Sequence, residues 1–236
     1  MSRLGSTAQQ LALGLPHRAA MTRADFLVGA ANRRALELID GWPAWPAPVV
    51  VLAGPVGSGK SHLVEIWRAA TGAAVAAAAA VDGGAVAGMV AAGAIAVEDL
   101  HAGPFDEPAL FHLINLAGER GAPVLLTSRA WPSSLPVRLA DLASRLRAAH
   151  LVELGEPDDD LLRRVIVKLF ADRQIAVDPA VVDYIVVRME RSLEAANLIV
   201  ADLDRQALAE GRAVTRPLAA AALARVIDRA RPPGGD

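Results

Sequence analysis

The sequence predicts an α/β fold, a five-stranded parallel sheet flanked by helices and followed by a small all-helical domain. Three observations point there. Five short apolar runs alternate with helical patterns up to about residue 155. A glycine-rich loop follows the first run, and after Glu156 strand signals cease.

DFLVGAANRRALELID, Asp25 to Asp40, reads as a loop leading into a helix that begins near Ala31 or Asn32. PVVVLAG follows and is apolar on both faces, as strands buried inside a parallel sheet are. Further strand-length runs are AAVAAAAAV, AIAVE (Ala94 to Glu98), PVLLTS (Pro123 to Ser128) and HLVEL (His150 to Leu154). In the helix PALFHLINLAGERG, Leu110, Leu113, Ile114 and Ala117 share one face and Gly121 closes the end. Beyond Glu156, PDDDLLRRVIVKLFADRQ opens on Pro157 and three aspartates, which suit the partial positive charge of a helix start. DPAVVDYIVVRM, RSLEAANLIVADLDRQALAEG and TRPLAAAALARVIDRA complete a set of about four helices. The expected organisation is a flexible segment over 1–20, the α/β domain over 21–155, the helical domain over 156–230 and a disordered tail over 231–236.

Composition narrows the classes. The chain has 236 residues, 53% of them hydrophobic, which is enough for a core of its own. A net charge of −2 lacks the basic footprint of a nucleic-acid binder. There is no cysteine, which fits a reducing compartment, and LALGL is too short for a signal peptide's apolar core, so a cytoplasmic location is expected. Between Thr71 and Val97 the only charge is Asp82, but the stretch is Ala and Gly broken by Asp-Gly-Gly. It reads as a strand, a turn and a short helix, with no membrane partner.

The chemistry centres on GPVGSGKS: Gly54, Pro55, Val56, Gly57, Ser58, Gly59, Lys60 and Ser61 match G-x-x-x-x-G-K-[ST] after a strand and before the helix HLVEIWRAA. Glycines let backbone N–H groups turn inward around phosphate oxygens, and the helix dipole adds to the attraction. Lys60 is placed to reach β and γ phosphates and the Ser61 hydroxyl to ligate Mg²⁺, with His62 following. A bound nucleotide, ADP or ATP, with Mg²⁺ is therefore expected. Such a site needs an acidic group from a neighbouring strand, and AIAVEDLH supplies Glu98 for the metal and Asp99 for orienting water. LLTS sets Thr127 and Ser128 at the end of the next strand, where a hydroxyl could touch the γ-phosphate.

Taken in order, the phosphate loop, the acidic strand end, the polar strand end, DLASRL and the helical C-terminal domain resemble the AAA+ ATPases, and among them the DnaA branch. The resemblance covers Asp25 to about Asp228. DFLVGAANRRA resembles the segment that packs near the adenine in that branch, which implies Phe26 and Val28 beside the base. SRL resembles its arginine-finger motif, implying that Arg145 acts in trans, and RSLEAA resembles its lid motif, implying that Arg191 reaches back to nucleotide. Two departures stand out. Glu98 occupies the first slot of a usual Asp-Asp pair, which implies weak hydrolysis by the chain itself, and the Asp-Arg usual after the polar strand end reads Arg129-Ala130.

The sequence runs to Asp236 without a helix-turn-helix pattern, so no sequence-specific DNA binding is expected. A DnaA-like AAA+ domain of this extent is similar to the Hda family, regulators that inactivate DnaA. That family carries a Q-L-x-L-type peptide for the DNA polymerase III sliding clamp, and QLALGL has its form: Gln10 leads, and Leu11, Leu13 and Leu15 alternate to one side of an extended segment. The resemblance implies two partners, the DnaA AAA+ domain and the clamp, and leaves a second copy of the chain open as a third. The competing expectations are a self-sufficient ATPase of the helicase-loader type and a small-molecule kinase built on the same phosphate loop.

Overall fold

Alternation along the strands decides how the layers stack. The computed structural model describes residues 21–230; QLALGL (Gln10, Leu11, Leu13, Leu15) and the 231–236 tail lie outside the described residues. The elements run α1 (Arg33–Asp40), β1 (Val49–Ala53), α2 (Lys60–Thr71), β2 (Ala74–Ala77), α3 (Ala85–Ala91), β3 (Ile95–Glu98), α4 (Glu107–Arg120), β4 (Val124–Ser128), α5 (Ala140–Ala148) and β5 (His150–Glu153). Four helices follow: α6 (Asp159–Asp172), α7 (Pro179–Val186), α8 (Leu193–Glu210) and α9 (Arg216–Ala230).

The five strands form one parallel sheet in the order β2-β3-β4-β1-β5. Side chains two apart share a face. Val51, Ile95, Val97, Val124 and Leu126 therefore meet Val86 of α3, Leu110 and Leu113 of α4, and Leu142 and Leu146 of α5. Val50, Leu52, Ala96, Leu125 and Val152 meet Leu36 and Ile39 of α1 and Leu63, Val64 and Trp67 of α2 on the opposite face. Trp67 is fully buried and stacks on Trp45 at 4.9 Å, with Trp42 edge-on to both. Each such buried leucine or larger side chain contributes roughly 2–3 kcal/mol by leaving water. The four C-terminal helices enclose a separate core around Leu162, Ile166, Phe170, Ile185 and Leu203.

Helix starts follow the capping chemistry. Asp106, Asp158, Asp178 and Ser192 each accept a backbone N–H of the first turn. Asn32 precedes α1 but works differently: its Oδ1 accepts the Gly29 N–H at 2.8 Å and its Nδ2 donates to the Leu27 carbonyl, so it ties the turn before the helix. Two sequence expectations change in detail. Of AAVAAAAAV only Ala74–Ala77 pairs as strand, and Ala78–Ala80 turns into a short 3-10 helix. Alanine has little β preference, so pairing lasts only where β3 lies alongside. The helical domain also holds one parallel bridge, Val177 to Val214, too short to leave a strand pattern. Among the described residues, no helix is long and apolar enough to cross a membrane.

Candidate functional site

β1 lies between β4 and β5, neither of which adjoins it in sequence. Open α/β sheets form their ligand crevice at such a switch, beyond the carboxyl ends of the strands. The phosphate loop emerges there, directly after Ala53, and α2 starts at Lys60. Gly57 (φ 68°) and Gly59 (φ 99°) are left-handed, a region costly for residues with a Cβ. Gly57 is also crowded: a Cβ there would collide with Ser192 Oγ. The Gly57 carbonyl accepts the Leu193 N–H at 2.8 Å, so the start of α8 rests directly on the phosphate loop.

Lys60 is buried, and its ammonium donates to the Gly54 and Pro55 carbonyls at 2.7 Å each. Burial lowers its pKa; the Asp99 and Glu98 carboxylates oppose that shift and the Arg129 guanidinium adds to it. The N–H groups of the first turn of α2 have no intrahelical acceptor, as at any helix start. They and the lysine together make an anion cradle.

The acidic pair sits across from this cradle. Burial raises the pKa of Glu98, while the Ser61 hydroxyl opposes the shift. Glu98 Oε1 is buried and has no hydrogen-bond partner. An orphaned carboxylate oxygen beside a serine hydroxyl fits a divalent cation, which would relieve its desolvation. Among the described residues no cluster of three or more acidic, His or Cys side chains forms a metal cage. Asp99 has φ 62°, uncommon for a residue with a side chain. Thr127 imposes that conformation: its hydroxyl accepts the Asp99 N–H at 3.0 Å and its carbonyl accepts the Leu100 N–H.

A cleft of about 520 Å³ opens between the α/β domain and the C-terminal helices, within the range of about 300–1,000 Å³ usual for small-molecule sites. Val56, Gly57, Gly59, Lys60, Ser61 and His62 line it from the loop and the start of α2, Phe26 and Leu27 from the leading segment, and Asp99 from the turn just after β3. Phe26 packs edge-on to His62 at 5.1 Å, and His62 Nε2 reaches the Thr22 carbonyl. The far wall is Val165, Lys168, Leu169 and Asp172 of α6 with Leu193, Glu194 and Asn197 of α8.

Besides Gly54, Pro55 and Ser58 of the loop itself, three residues expected at nucleotide stand outside this lining. Val28 gives its carbonyl to Arg164 and packs on the α1–α2 side. Ser128 is fully buried, and its hydroxyl accepts the Ala130 N–H, closing the turn after β4. Arg191 pairs with Asp159 at 2.9 Å, at the start of α6. Arg145 is exposed on α5. Leu142 and Leu146 anchor that helix on the sheet face opposite α2.

Sequence reasoning passed over part of the wall. Lys168 bridges Asp25 at 2.8 Å and Asp172 at 2.7 Å, joining the leading segment to α6. The only local signal was the Lys168–Asp172 spacing of four, which any solvated helix face shows. Arg129 also lines the cleft, and nothing in LLTSRA announces that direction.

A five-stranded parallel sheet, a phosphate loop at the switch point and a helical lid over it define the class: the fold is that of the AAA+ ATPase domains. Domain III of the Thermotoga maritima replication initiation protein DnaA superposes with a TM-score of 0.71 over 90% of this chain and 99% of that one, at 18% identity. AMPPCP-bound DnaA from Aquifex aeolicus gives 0.65 over 82% of this chain and 67% of that one, at 18% identity. A point mutant of Thermotoga maritima RuvB gives 0.66 over 84% of this chain and 69% of that one, at 15% identity. No protein-family model matches the sequence, and no curated protein matches it. At these identities the likeness is one of fold.

Proposed function

We infer that this chain is a nucleotide-bound regulator that stimulates hydrolysis of DnaA-bound ATP while tethered to the replicative sliding clamp. The observation that carries the reading is Arg145: it is exposed and forms no ion pair among the described residues, on a helix whose other face is locked into the core. A guanidinium presented this way is free to enter a neighbouring ATPase and neutralise charge on its γ-phosphoryl oxygens. Arginine fingers contribute about 10³–10⁵ in rate in related phosphoryl transfers.

The rest of the reading follows from the cleft and the N-terminus. Nucleotide, with ADP expected in the working state, binds between the phosphate loop and α6–α8 and braces the two domains. Ser61 and Glu98 would hold Mg²⁺, with Asp99 positioned for water. When bound, that ion would supply positive charge between phosphate oxygens. Gln10 offers an amide for a polar pocket, and Leu11, Leu13 and Leu15 suit an apolar groove on the clamp. Tethering raises the local concentration of the regulator near DnaA without any new contact. Hydrolysis would leave DnaA in its ADP form and prevent a second round of initiation, in the cytoplasm.

Arg145→Ala tests this. It should keep nucleotide and clamp binding and lose stimulation of DnaA-ATP hydrolysis. Stimulation at the wild-type rate refutes the role of Arg145. Gln10→Ala should lose clamp capture in a pull-down. Steady ATP hydrolysis without DnaA, unaffected by deletion of residues 1–16, would favour a self-sufficient ATPase.

A further inference from the structure

One edge of the sheet is left unpaired beside a groove. β5 is the last strand in the order β2-β3-β4-β1-β5 and pairs only with β1 among the described residues. Just after it, the Leu154 N–H donates to the Ala53 carbonyl of β1. Alternate residues of a strand turn their amides to the same neighbour, so Leu151 and Glu153 aim N–H and C=O groups away from β1. Such an edge is a template for another strand.

The surroundings of that edge are shaped for one. A groove of about 520 Å³ runs beside β5, lined by Leu151, Val152 and Glu153 of the strand, Arg34 and Leu38 of α1, and Trp131 of the β4–α5 connection. Arg34 and Leu38 are four apart and share one face of their helix. Trp131 is 50% exposed, although an indole is among the largest apolar bodies a chain can bury. The lining is thus apolar at Leu38, Val152 and the indole, with a cation and a carboxylate at its rim.

We propose that the chain's own QLALGL segment, Gln10 to Leu15, adds to β5 as an edge strand, so that the leucines that suit a clamp are covered within the chain until a clamp displaces them. The docking does not rest on the clamp reading; only its regulatory consequence does. The chemistry matches. Leu11, Leu13 and Leu15 fall on one side of an extended segment and suit the apolar lining, while the Gln10 amide can donate to Glu153 and accept from Arg34. The reach matches as well. Arg23 is fixed through two hydrogen bonds of its guanidinium to Asp40, at the end of the helix that carries Leu38. From Leu15 to Met21 the backbone can span about 20 Å, and a helix with its side chains is only about 10 Å across. A tether this short holds the segment at an effective concentration in the millimolar range. Weak strand addition therefore suffices, and a competitor arriving by diffusion starts at a disadvantage.

The test reads amide hydrogen exchange at Leu151 and Glu153 by NMR. It compares the full chain, the chain lacking residues 1–16, and the full chain carrying Leu11→Asp with Leu13→Asp, each checked by thermal melting. Both amides should exchange at least about tenfold more slowly in the wild type than in either variant, with Val152, which faces β1, unchanged. A synthetic QLALGL peptide at millimolar concentration should restore slow exchange to the truncated chain, and Trp131→Ala should lose part of the protection. Equal exchange in all three chains overturns the proposal. So does slow exchange that survives the two aspartates: if it grows with protein concentration a second copy covers the edge, and if it does not the edge is closed locally. Sliding clamp added to the wild type should speed both amides. A clamp that binds and leaves them slow overturns the competition, whereas a clamp that does not bind removes the clamp reading and leaves the docking result to stand on the variants.

Discussion

Gly57 is the residue where the loop's two duties collide. Its left-handed backbone turns the loop, and its bare Cα lets Ser192 and Glu194 approach. Gly57→Ala should cost about 1–2 kcal/mol for the backbone alone. The clash with Ser192 should add to that by lifting the start of α8. Expected outcomes are a lower melting temperature and faster amide exchange at the first turn of α8; unchanged exchange there would show that the lid does not lean on this glycine. The loop itself was readable because its demands are local: glycines, a lysine and a serine at fixed spacing. Arg129 was not. Its direction depends on which strands flank β4 and on the His101 ring beneath its backbone, and neither is written near it in sequence.

At the scale of elements, apolar runs located the five strands because burial on both faces leaves them continuous. Capping aspartates marked the starts of α6 and α7, whereas α5 starts without a side-chain cap and left no such signal. Cross-helix polar contacts left no such trace. Asp202 of α8 is buried and accepts from Arg205, from Gln206 and twice from Arg225 of α9. Burial raises its pKa, but the Arg225 and Arg205 hydrogen bonds outweigh that and leave the carboxyl below its usual range. Asp202→Ala should destabilise the helical domain by about 2–3 kcal/mol, the scale for hydrogen bonds to a buried charge. Denaturant unfolding monitored at α9 checks it. A loss below about 0.5 kcal/mol would mean the cluster is only a solvated ion pair.

Across the whole molecule, the cores on the two faces of the sheet and the core of the C-terminal helices are tied together in part by a polar seam. The Lys168 ammonium bonds the Asp25 carboxylate and, with the Thr22 hydroxyl, holds that carboxyl down to about 2. A carboxyl whose pKa is depressed on folding stabilises the fold above its unfolded value, near 3.9. That contribution is lost as pH falls through about 2. Wild type and Asp25→Asn should therefore differ by about 1 kcal/mol at pH 7, with the gap closing between about pH 4 and pH 2. A gap independent of pH would remove Asp25 from the seam. None of this was visible in the chain's linear order, because Asp25 and Lys168 meet only when the lid folds over. The hydrogen bond from Leu193 to the Gly57 carbonyl has a reciprocal consequence. Whatever free energy a bound phosphate gains by stiffening the loop, the hinge between domains must register in equal measure. A protein that pried α8 loose would thus act as a nucleotide-exchange factor without ever touching the nucleotide.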